Sequence, residues 1–199
     1  MVKENHEINE NIQIKMWEDL YRYEGAKSRR WNIRMKYLFF VPEYTYIYVF
    51  RRTQRSENFL SFFIWSALLR IISYVTHIQI PATTQIGKGF YIGHWGMIIV
   101  NPSAVIGRNF SISAGALIGN AQGKHAGSPI IGDNVQMGQF AIIIGGCKIG
   151  NNVLIAPGAF VNFDVPDNCI VIGNPGKVIP QESSPTAKYI VFPIEESME

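Results

Sequence analysis

The chain has 199 residues, a formal net charge of +3, 47% hydrophobic residues and 13% aromatics. This composition excludes a disordered chain and leaves room for one coiled β domain with a smaller appendage, while the charge alone selects no partner. Only Cys147 and Cys169 are present, and no Cys/His cluster has metal-ligand spacing, so neither a disulfide nor a bound metal is expected.

In chain order, Met1 to Glu7 are polar and do not read as a secretory signal, which points to a cytoplasmic protein. Trp17, Leu20 and Tyr21 are spaced for a short amphipathic helix. From Lys27 to Arg70 nine Lys/Arg stand against two acids, Glu43 and Glu57, with twelve aromatics interleaved from Trp31 to Trp65. Pro42 breaks the segment, and Ser56 or Asn58 is placed to cap a helix running through Phe59, Leu68 and Ile72. Its longest uncharged run, Asn58 to Leu69, is twelve residues. A spanning helix needs about twenty, so no transmembrane segment is expected. Two readings of residues 27–70 stay open. One is a helical layer packed on the β domain or on a neighbouring subunit. The other is a basic, aromatic face against anionic lipid at the inner side of the membrane. Nucleic acid is not expected as a partner, because no recognition motif accompanies the charge.

From Ile80 to Val161 one short period takes over. Ile80, Ile86 and Ile92, then Ile106, Ile112 and Ile118, then Ile131, Met137, Ile143, Ile149, Ile155 and Val161 each step by six residues. Glycine often follows the anchor, as at Gly87, Gly107, Gly132 and Gly150, and small or β-compatible residues precede it by two. A six-residue period fits neither 3.6 nor a long alternation. It fits a short strand and a turn, with the anchor inward and glycine relieving the turn. Three such hexads make one triangular coil, and stacked coils bury an aliphatic column. Cys147 falls on a repeat position and is expected inside that column, as in a reducing compartment.

The period slips twice. Ile92 to Ile106 is fourteen residues instead of twelve, with His94 inside the slip; Ile118 to Ile131 is thirteen instead of six. Asn120–Ser128 must therefore leave the coil as a loop, and it carries His125. Departures from a regular scaffold are where chemistry can be placed. After Val161 a partial coil ends at Gly173-Asn174-Pro175-Gly176-Lys177, Gln181–Thr186 reads as a linker, Ala187–Pro193 as an edge strand, and Glu195–Glu199 as an acidic tail. The expected divisions are a helical segment over 1–77, a β-helix over 78–180 and a tail over 181–199.

Residues 78–180 resemble the left-handed β-helix (hexapeptide-repeat) acyltransferases, in the serine acetyltransferase-like branch that includes polysaccharide O-acetyltransferases. The motifs that carry the resemblance are Ile86-Gly87-Lys88-Gly89 through Ile92-Gly93-His94-Trp95-Gly96 to Asn101, Ile131-Gly132-Asp133-Asn134-Val135, and Gly173-Asn174-Pro175-Gly176-Lys177. The resemblance, not the periodicity, implies the left hand, a homotrimer, and acetyl-CoA as co-substrate between adjacent prisms. Three positions depart from the serine enzymes: Gln79 and Gly93 stand where they carry Asp, and Ser128 precedes Pro129 where they carry His. These departures remove groups that would hold an amino acid's charges, so the acceptor is expected to be a hydroxyl of a saccharide, lipid-linked if the basic segment meets membrane. Serine itself is the alternative acceptor, and a non-catalytic hexapeptide scaffold is the alternative from another class.

Acetyl transfer from a thioester to an alcohol needs a base, oxyanion donors and positioning. His94, at the first slip and matching the family's catalytic His, is the expected base. His125 on the extruded loop is the rival. The sequence names no orienting partner for His94, since Gln79 can do no more than accept from its N–H through the amide oxygen, and Asn101 and Asn120 are expected at the acceptor or oxyanion. For acetyl-CoA the resemblance implies the backbone at Gly119 and around Gly138 and Ala156, with Lys177 meeting a phosphate as a point charge.

Overall fold

The computed structural model describes residues 16–123 and 125–195. The polar N-terminus with His6, Lys124, and the last four residues of the acidic tail lie outside them.

Residues 16–24 form helix α1, followed by a 3-10 turn, Gly25–Arg29, and helices α2 (Trp31–Phe40), α3 (Pro42–Gln54) and α4 (Phe59–Thr76). Pro42 starts α3 at the first turn, where its missing N–H costs nothing. Asn58 caps α4 by accepting from the Ser61 amide at 2.8 Å. The helix then runs four residues past Ile72 and ends at His77 in the left-handed conformation. It is therefore eighteen residues long, not the twelve of the uncharged run, because the single Arg70 interrupts the composition and not the helix.

Among the described residues fifteen short strands, numbered in chain order, form three faces. Face A holds β1 (Ile78–Gln79), β4 (Ile98–Val100), β7 (Leu117–Gly119), β10 (Ile142–Ile144) and β13 (Phe160–Val161). Face B holds β2 (Gln85–Ile86), β5 (Val105–Ile106), β8 (Ile130–Ile131) and β11 (Lys148–Ile149). Face C holds β3 (Tyr91–Ile92), β6 (Ser111–Ile112), β9 (Gln136–Met137), β12 (Leu154–Ile155), β14 (Cys169–Ile172) and β15 (Lys177–Pro180). All pairs are parallel except β14–β15, so the chain winds A to B to C around a three-sided prism. All twelve anchors point inward, none more than 4% exposed, and Cys147 joins them as a buried free thiol.

The glycine after the anchor has a different cause from the one expected. At Gly87 and Gly107 no left-handed angle is needed, but a Cβ would lie 2.7 Å and 2.8 Å from the backbone of the coil below. Close stacking of rungs, not turn strain, excludes a side chain there. The left-handed residue of this corner comes two positions later, and asparagine fills it at Asn109, Asn134, Asn152 and Asn168. Their side-chain amides hand one hydrogen bond down the column, Asn109 to Asn134 at 2.9 Å, Asn134 to Asn152 and Asn152 to Asn168 at 3.0 Å. The ladder fixes the register of the coils from outside the core.

The helical layer closes the open top of the prism. Arg51, fully buried, pairs with Asp19 at 2.8 Å and donates to the carbonyls of Ile86 and Gly87 at 2.8 and 2.7 Å. Asp19 in turn accepts from the Phe90 amide at 2.7 Å. Arg22 donates to Gly89 O and Ser111 Oγ, and burial lowers its guanidinium to about 10, which leaves it charged at neutral pH. Edge groups with no coil above them are thus satisfied by two arginines and a carboxylate. The C-terminal segment is not the expected edge strand. Ile194 exchanges two hydrogen bonds with the Asn109 side chain, its own amide donating and its carbonyl accepting, and Ile190 and Ile194 are buried. Ala187–Pro193 turns on itself instead, with Tyr189 N and Ile190 N both donating to Thr186 O at 2.9 and 3.0 Å.

Candidate active site

The three corners of the prism divide the sequence-predicted residues between them. His94 lies at the corner from face C to face A, in the five-residue bulge Gly93–Met97 where the next coil uses three residues, Ser113–Gly115. Both ends of the bulge are pinned, Gly93 N to Ile112 O and Gly115 N to Gly96 O, each at 2.9 Å. Two extra residues between fixed ends must go outward, so His94 and Trp95 are exposed.

The same corner continues downward. Ile92 stands over Ile112, Met137, Ile155 and Val171 in register, which places Gly138 and Ala156 directly below the bulge. Their amides are already engaged, Gly138 with Ile155 O at 2.8 Å and Ala156 with Val171 O at 2.9 Å. These positions offer a smooth wall, not free donors. At the bottom, Gly173 O accepts from Phe160 N and Gly176 N donates to Phe160 O, each at 3.0 Å, turning the chain so that Lys177 pairs with Ile172 and stays exposed.

Sequence reasoning missed two residues of this corner. The left-handed position of each turn, three residues after the anchor, is Gly115 and Gly158 in two coils but Phe140 in the coil between, and Met97 occupies it in the first. Phe140 (φ 56°) and Met97 (φ 52°) are 63% and 68% exposed, so no burial offsets their strained backbone. The Phe140 ring lies where a side chain on Gly115 would be. The signal was legible as a bulky residue in a glycine slot of the repeat.

Gly119, Asn120, Asn101 and His125 belong to the next corner, from face A to face B. The extruded loop is closed by paired backbone bonds between Ala121 and Gly127, each 3.0 Å, and lies down on the turn of the coil below. His125 O accepts from Gly146 N at 3.0 Å, and a Cβ on Gly145 would come within 2.7 Å of that carbonyl. The His125 side chain is exposed, on a corner that its own chain's His94 does not share. Asn101 Oδ1 accepts from Ser103 N at 2.9 Å and Ser128 Oγ at 3.0 Å, so it ties the loop base and has only its NH₂ group to offer elsewhere. Gln79 projects from the outer side of face A, above Ile99, into a groove of about 500 Å³ under α4 that Arg70, Ser73 and Tyr74 also line. Among the described residues no group of three or more His, Cys, Asp or Glu is placed to hold a metal ion.

Six-residue rungs wound through three faces make the fold a left-handed β-helix of hexapeptide repeats. Residues 128–162 match the bacterial transferase hexapeptide (six repeats) family model. The chain is similar to serine acetyltransferases. Serine acetyltransferase 4 of Arabidopsis thaliana is 38% identical over 115 residues, covering 57% of this chain and 32% of that protein. The serine acetyltransferase of Vibrio cholerae superposes with a TM-score of 0.72 at 22% identity, over 93% of this chain and 72% of that one. That of Neisseria gonorrhoeae, in complex with serine, gives 0.63 at 26%, over 88% and 70%. The chain spans 32% and 47% of the length of two curated relatives it matches.

These relatives correct the expectation of a saccharide acceptor and of a polysaccharide O-acetyltransferase branch. That inference ran from missing groups at Gln79, Gly93 and Ser128. A missing charge is no positive signal for a sugar, and identity across the coils outweighs three positions.

Proposed function

We propose that the chain transfers acetyl from acetyl-CoA to the hydroxyl of L-serine, with His94 as general base. The observation that carries the reading is an imidazole lifted out of an otherwise regular coil, in a chain whose coils are similar to serine acetyltransferases. A thioester is already activated, so the alcohol is the partner that needs help. Neutral His94 takes the serine hydroxyl proton as the oxygen bonds to the thioester carbonyl carbon. The tetrahedral oxyanion then collapses, the C–S bond breaks, and the imidazolium returns its proton to the CoA thiolate. Gln79 supplies an amide oxygen for the His94 N–H or for the serine ammonium, and Asn120 is the acceptor contact on the loop.

The corner gives the donor its length. Lys177 opens β15, the fifth strand below β3 on face C, about 24 Å from the His94 corner at about 4.8 Å per strand. An extended pantetheine arm with its thioester at His94 brings its phosphates to Lys177. Gly138 and Ala156 wall that path by shape, and Met97 and Phe140 give it apolar sides.

A homotrimer completes the site in this reading. His94 and His125 occupy different corners of one chain, so only a second copy brings the loop of Gly119, Asn120 and His125 to a His94 corner. The outward row of face A, Ile99, Leu117, Ile142 and Phe160, is apolar and only partly covered within one chain, as a self-associating face requires.

The test is thiol release from acetyl-CoA with L-serine as acceptor, read together with the product mass. Serine-dependent release giving O-acetylserine is expected. Bound acetyl-CoA with no serine-dependent release at saturating serine contradicts the acceptor.

A further inference from the structure

We propose that α4 is a membrane-surface helix that seats the protein on an anionic phospholipid bilayer, lying in the headgroup plane without crossing it. The helix is apolar enough to cross a membrane by length and composition, with a mean hydropathy of 1.6, yet only 11% of it is buried. Leu69 and Thr76 are its buried residues, and Trp65 and Ile72 pack partly on the core. The remaining large side chains face outward: Phe59 is 83% exposed, Leu60 66%, Phe63 63%, Tyr74 70% and Val75 66%. A contiguous apolar surface of this kind on one helix marks an interaction site.

The packing excludes a spanning orientation. α4 lies along α3 and passes straight into β1, whose Ile78 is fully buried in the coil core. Both ends of α4 therefore belong to one folded body. Crossing the bilayer would carry α3, with the buried Arg51–Asp19 pair, into the hydrocarbon.

Charge identifies the occupant. Residues 27–70 hold nine basic and two acidic residues, a balance of +7 in a chain of +3, so the rest of the chain is at −4. Lys27, Arg29, Arg30, Lys36 and Arg70 are exposed on this layer, and α2 adds exposed Trp31 (74%) and Phe40 (81%). Arg51 is neutralised inside the fold by Asp19, and the remaining +6 of this layer would face +6 in a second copy apposed through it. An anionic bilayer instead offers acyl chains to the aromatics and phosphates to the cations.

The experiment is flotation of the full chain with vesicles of phosphatidylcholine alone and of phosphatidylcholine with phosphatidylglycerol, at low and high salt. Flotation with the anionic vesicles only, released by salt, is expected, because exposed charges are screened over a Debye length. Phe62→Ser with Phe63→Ser, at exposed positions, should lower vesicle partition at least tenfold while far-UV circular dichroism and oligomeric mass stay unchanged. No flotation with either vesicle overturns the proposal, as does equal flotation with both. A double variant whose oligomeric mass falls, with no vesicle binding by the parent protein, assigns the face to a second copy and overturns it too.

Discussion

His94 and Lys177 stand at the top and bottom of one corner of the prism, five strands of face C apart and both exposed. Nothing in the local sequence relates them. The winding of the coils brings residues eighty-three positions apart onto one line.

In the proposed function Lys177 binds the donor and takes no part in the chemistry. Lys177→Ala should raise KM for acetyl-CoA about tenfold or less, leave kcat nearly unchanged, and weaken the salt dependence of KM, as loss of one exposed point charge does. Steady-state kinetics at two ionic strengths read this directly.

Phe140 carries a strained backbone without burial in return. Phe140→Gly removes a left-handed non-glycine residue, worth about 1–2 kcal/mol, against a glycine entropy cost of about 0.5–1 kcal/mol. Thermal stability should hold or rise slightly while KM for acetyl-CoA rises. A fall in melting temperature would make the ring structural instead.

Asp19 and Arg51 join the helical layer to the open end of the coil. Asp19→Ala leaves a buried guanidinium with no counter-ion, and breaking such a pair costs about 3–5 kcal/mol. Urea unfolding should show a loss of that size, with the midpoint moving and the slope unchanged.

Burial pushes the Cys147 thiol from an ordinary 9.0 up to about 11. Its folded pKa is raised, so the stability it contributes is fully present below pH 9 and is lost as pH rises from there through about 11. Alkylation by iodoacetamide at pH 8 should be slow in the native protein and fast in urea, and Cys147→Ser should flatten the alkaline fall in stability.

Much of the prism was legible because its cause is local. A six-residue step forces the same inward anchor at Ile80, Met137 and Val161, and both slips appear as the bulge of His94 and the loop of His125. What escaped depends on neighbours that are distant in sequence. Gly87 is small because Gly107 lies beneath it, a fact of stacking that a turn-based reading assigns to the wrong cause. The buried ion pair joins residues thirty-two positions apart, and Ile194 is held by the side chain of Asn109, eighty-five positions away. Gly138 and Ala156 lie below the His94 bulge, and their engaged amides follow only from the ladder. The acceptor was misread for another reason: it was argued from absent charges at Gln79 and Gly93.

The central claim is that His94 removes the proton from the acceptor hydroxyl. In wild-type and His94→Ala proteins of equal oligomeric mass and equal acetyl-CoA affinity, serine-dependent thiol release should fall about 10²–10⁴-fold in the variant. Undiminished release in His94→Ala, with loss in His125→Ala, would contradict it.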